Sequence, residues 1–82
     1  MKVSKKKLML LIAQALEVKK NKVNINSKMD DFEEWDSLGQ LSILSKIDEE
    51  LGGKVASIRK LSDCFTVRDF IKILDKSDLI KY

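Results

Sequence analysis

Apolar residues recur at a helical period over most of the chain and lose that period between residues 18 and 36. From Ser4, a capping residue, Leu8, Leu11, Ile12, Ala15 and Leu16 line one face of a first helix that no Gly or Pro interrupts. Residues 18–36 then mix Asn, Lys, Ser and Asp with isolated Val23, Ile25, Met29, Phe32 and Trp35, alternating only briefly around Val23 to Ile25. That stretch predicts a long loop, and its spaced apolar residues predict that the loop lies pinned across the helices. A second helix runs from Ser37 to about Leu51, with Leu38, Leu41, Ile43, Leu44, Ile47 and Leu51 as its apolar positions. On this reading Leu41→Ala or Leu44→Ala opens a core cavity. Gly52-Gly53 supplies the left-handed backbone that ends the helix. Residues 56–63 allow a short third helix built on Ile58 and Leu61. Thr66-Val67-Arg68-Asp69, a shortened capping box, opens a last helix with Val67, Phe70, Ile71 and Leu74 inward. The expected fold is all-α: a small four-helix bundle with a long loop between helices 1 and 2 and a short third helix.

At 82 residues the chain makes one domain, residues 1–82, with a modest core and little room for a deep cleft, which argues against an enzyme. His is absent, which removes the commonest general base and metal ligand, and the single Cys64 excludes an internal disulfide and a cysteine-rich zinc site. No metal site is expected, and Cys64 beside Phe65 reads as a small core residue. The Met1-Lys2-Val3-Ser4 start leads into an amphipathic segment without a small-residue cleavage site, and no apolar run approaches the roughly 20 residues of a membrane span. A cytoplasmic protein is expected.

The net charge of +3 conceals three blocks. Residues 1–28 hold eight Lys against Glu17 alone. Residues 29–53 hold Asp30, Asp31, Glu33, Glu34, Asp36, Asp48, Glu49 and Glu50 against Lys46, and the remainder is again basic. In the acidic block, where the loop turns into helix two, stands Trp35-Asp36-Ser37-Leu38-Gly39-Gln40. Ser37-x-x-Gln40 is itself a capping box, and that alone would give the serine a purely structural task. Asp36, however, can take the cap position and leave the Ser37 hydroxyl exposed in the first turn, with Leu38 anchored in the core and Gly39 keeping the neighbouring surface uncluttered. A phosphate on that hydroxyl would meet the unpaired N–H groups and positive dipole of the helix start.

Asp36-Ser37-Leu38, opening the second helix of a small helical chain, resembles the acyl carrier protein family, including peptidyl and aminoacyl carrier domains. The order of elements extends the resemblance over nearly the whole chain. It implies that Ser37 carries 4′-phosphopantetheine, moved from coenzyme A by a phosphopantetheinyl transferase that supplies Mg²⁺ and the general base. The terminal thiol of that arm would then hold an acyl or aminoacyl group as a thioester. Asp36 matches the family's motif aspartate, with a role in positioning the transferase and its metal. The family also uses the exposed face of helix two, here Gln40, Asp48 and Glu49 with Ser42 and Ser45 between them, to meet basic patches on partner enzymes. Loading ligases or synthetases and acceptor enzymes are the implied partners, and a monomer is the default. The chain departs from the family in its basic ends and at Ser42, Ser45 and Lys46, where acidic or apolar residues are usual. Trp-Asp-Ser-Leu-Gly, in turn, is similar to stand-alone carriers outside the main fatty acid pathway, with Trp35 itself read as packing to fix the loop exit.

Two other classes stay open on the residues. Lys2, Lys5, Lys6, Lys7, Lys19, Lys20 and Lys22 suit a small nucleic-acid or anionic-surface binder, although only Arg59 and Arg68 occur and both stand far from that cluster. An unmodified helical adaptor docking through helix two is the other.

Overall fold

Three caps divide this chain into three α-helices. In the computed structural model, which describes residues 1–82 with Ala56 by its backbone alone, α1 spans Lys5–Leu16, α2 spans Ser37–Glu50 and α3 spans Val67–Lys76. Each begins where a short polar side chain accepts an orphan N–H: Ser4 from Lys7 N, Asp36 from Gly39 N, Thr66 from Asp69 N. Gly52 and Gly53, at φ 65° and 83°, let the chain leave α2 through left-handed backbone, with Gly53 N bonded to Asp48 O at 2.9 Å.

The expected four-helix, all-α bundle is corrected in two places. Residues 54–63 form two 3-10 turns, Lys54–Ser57 and Arg59–Asp63, in place of a short third α-helix. The apolar residues there, Val55, Ile58, Leu61 and Cys64, recur every third position, which matches three residues per turn and lets one ridge of side chains reach the core. The second correction is a two-stranded parallel sheet, β1 (Val3–Ser4) with β2 (Ile80–Lys81), in register Val3 to Ile80 and Ser4 to Lys81. The fold is a small α/β type whose ends are clasped together. Val3 N donates to Leu79 O at 2.8 Å, Lys2 pairs with Asp78 at 3.0 Å, and the Lys5 ammonium lies 5.2 Å from the Tyr82 ring centre. Val3 and Ile80 are buried beneath these polar contacts.

The long loop, residues 17–36, carries 3-10 turns at Lys20–Lys22 and Met29–Asp31 and is pinned to the start of α3. Met29 N donates to Phe65 O at 2.8 Å and Val67 N to Ser27 O at 3.0 Å, forming an antiparallel bridge between Lys28 and Thr66. The core is one cluster in which Leu8 and Ile12 of α1, Ile43 and Ile47 of α2, and Phe70 and Leu74 of α3 are wholly enclosed.

Helix α2 buries a narrower arc than its six apolar residues suggest. Ile43 and Ile47 set the inward side, and Leu41, two residues from Ile43, is rotated about 200° from it. Leu41 is 61% exposed and Leu38 75% exposed, so neither is a core residue; Leu44 is half-buried. Phe70→Ala should therefore cost about 3–5 kcal/mol, whereas Leu41→Ala should cost at most about 0.5 kcal/mol, as urea denaturation will read directly. Comparable losses for the two variants would invert the face assignment.

Candidate functional site

The turn into α2 is built by dividing two tasks between adjacent residues. Asp36 has extended backbone and its Oδ1 accepts from Gly39 N at 2.9 Å, while its carbonyl takes Gln40 N at 2.8 Å. Ser37 follows as the first helical residue, exposed, and no hydrogen bond among the described residues engages its hydroxyl. The Ser37 and Leu38 N–H groups precede the first intrahelical bonds and have no partner within α2. An anion linked to the Ser37 oxygen thus meets free donors and the positive end of the helix dipole. Asp30, Asp31, Glu33, Glu34 and Asp36 are all exposed along the approach, giving the surroundings a negative field.

Beneath this turn lies a buried polar chain. The Trp35 indole Nε1 donates to Gln40 Oε1 at 2.7 Å, and Gln40 Nε2 donates to Cys64 O at 2.8 Å and, more weakly, to Ser62 O at 3.4 Å. The Trp35 ring sits 6.4 Å from both Phe32 and Phe70. Gln40, expected on the exposed partner face, is instead buried, because its amide is needed to satisfy the indole and the carbonyls of the Arg59–Asp63 turn. Gly39 is also not a spacer at the surface. A Cβ there would collide with the Glu34 carbonyl and press on Leu16 Cδ2, so glycine lets the loop cross the first turn of α2 in contact.

Of the remaining expected surface, Glu49 is exposed with Ser42 and Ser45, and Asp48 is half-buried with its Oδ1 shut off from solvent and unpaired. The apolar residues beside Ser37 were missed as surface. Leu38 and Leu41 border an open groove of about 720 Å³ between α1 and α2, facing Ala15 and edged by Lys46 and Glu49. Their spacing of three, offset from the Ile43–Ile47 pair, was the available signal. Cys64 is buried, with its thiol pushed up to about 11 by burial first and then by Asp69 and Asp63, which leaves no thiolate for nucleophilic work near neutral pH. Among the described residues no group of His, Cys, Asp or Glu is arranged to hold a metal ion, and no helix is long and apolar enough to cross a membrane.

Comparison with protein-family models, with curated proteins and with solved structures returned no match.

Gln40→Ala strands the indole N–H in the core, so it should cost about 1–3 kcal/mol and change Trp35 emission. An unaltered midpoint and spectrum would show that the bond contributes nothing. For Cys64, the folded pKa lies above the ordinary 9.0, so the fold favours the protonated thiol. That contribution is complete below pH 9.0 and is lost as pH rises toward about 11. Wild type should lose stability relative to Cys64→Ala across this window; parallel pH profiles would refute it.

Proposed function

We propose that this chain is a carrier protein modified at Ser37 with 4′-phosphopantetheine, and that it passes an acyl or aminoacyl thioester between partner enzymes. The observation that carries this reading is the free, exposed Ser37 hydroxyl at the start of α2, released from capping by Asp36. In the modifying step the Ser37 oxygen forms a bond to the pantetheine phosphorus of coenzyme A as the bond from that phosphorus to the nucleotide phosphate breaks. The serine proton passes to a base on the transferase, since this chain has no His. The resulting phosphodiester stays anionic, and the unpaired N–H groups of the first turn offset its charge. Asp36, adjacent and acidic, is the residue suited to meet the transferase-bound Mg²⁺.

Leu38 and Leu41 give the enzymes something to grip. Both are exposed within one turn of Ser37, and exposed leucines beside an acidic approach form a surface with an apolar centre and a charged rim. Glu49 belongs to that rim; Gln40 is withdrawn from it. Opposite charge on the partner would raise the encounter rate more than the affinity. The working location is the cytoplasm, where coenzyme A is supplied. The same two leucines also suit an unmodified adaptor, and covalent loading separates the two readings.

Incubation of the purified chain with coenzyme A, Mg²⁺ and a permissive phosphopantetheinyl transferase should add one pantetheinyl phosphate by intact mass, and Ser37→Ala should abolish the gain. No gain on wild type, or a gain retained by Ser37→Ala, would falsify the assignment. Leu38→Ala combined with Leu41→Ala should lower kcat/KM of loading by about tenfold or more while leaving the melting temperature in place.

A further inference from the structure

The lysines of the N-terminal block are brought together by the fold in a way their spacing does not reveal. Lys6 and Lys7 of α1 and Lys20 of the Lys20–Lys22 turn line a cleft of about 430 Å³ together with Ser4, Met9, Leu10 and Val23. These cations have no internal partner. The one ion pair among the described residues is Lys2 with Asp78, and the first turn of α1 contains no acidic residue. Lys5, Lys6 and Lys7 also stand at the positive end of the helix dipole, where cations destabilise a helix. Lys6, Lys7 and Lys20 thus oppose the local stability of α1 or leave charge unpaired, and an anion from outside would relieve this.

We propose that this cleft seats the chain on an anionic lipid bilayer. The chemistry selects that occupant over a nucleic acid. Neither arginine nor an aromatic ring lines the cleft, which leaves no means of reading or stacking bases. A bilayer presents phosphate charge for the lysines together with hydrocarbon for Met9 and Leu10, which are half-buried beside them. The inference rests on the cleft and stands whether or not Ser37 is modified.

The test is sedimentation of the full-length, unmodified chain with vesicles of phosphatidylcholine alone or with added phosphatidylglycerol. Binding to the anionic vesicles only, weakening with salt, is expected. Lys6→Ala/Lys7→Ala/Lys20→Ala should lower that affinity about a hundredfold, and Lys60→Ala/Lys72→Ala/Lys76→Ala, with an identical change in net charge, less than about threefold. The cleft variant should melt at or above the parent temperature, because repulsion at the α1 start is removed. Equal losses in the two triple variants, no binding to anionic vesicles, or preferential binding of duplex DNA would each overturn the proposal.

Discussion

The bond from the Trp35 indole to the Gln40 amide is the constraint on which the rest of this structure turns. Trp35 closes a loop held by short 3-10 turns, without an α-helix or a strand of its own, and Gln40 belongs to α2. The far side of the Gln40 amide reaches the carbonyls of Ser62 and Cys64, and the indole ring lies between Phe32 of the loop and Phe70 of α3. Loop, α2, the Arg59–Asp63 turn and α3 are joined through two side chains. The Trp35 indole N–H and both ends of the Gln40 amide have partners, which is the condition under which a buried polar network rigidifies a core.

That knot explains the position of Ser37. With Trp35 and Gln40 both held inward, Asp36, Ser37 and Leu38 face outward between them, and Asp36 fixes the turn by capping α2. Gly39 permits it, since the Glu34 carbonyl occupies the space of any larger side chain. The reactive-site candidate is therefore presented by rigid neighbours, the condition for a modifying enzyme to find one hydroxyl in one geometry.

Much of this was legible in the chain. The caps at Ser4, Asp36 and Thr66 and the Gly52-Gly53 exit are local chemistry, and local chemistry is what a sequence displays. The parallel pairing of Val3 with Ile80 was not legible, because two-residue strands have no period and their partners stand at opposite ends of the chain. Residues 56–63 read as a short third helix because Ile58 and Leu61 fit either helical period; only the full series from Val55 to Cys64 fits three. For α2, treating Leu38, Leu41, Ile43 and Ile47 as one face conflated an inward pair with an outward pair. Gln40 looked like surface because its partners lie across the fold, 22 and 24 residues away.

The Trp35–Gln40 bond holds the Ser37 turn as a fixed, outward-facing platform. Hydrogen exchange of the Trp35 indole proton, followed by NMR beside the Ser37 and Gly39 amides, tests it most directly. The indole proton should exchange only through global unfolding, with Gly39 protected by Asp36 and Ser37 exchanging freely. An indole proton that exchanges as fast as the Ser37 amide would mean that the bond does not hold the turn.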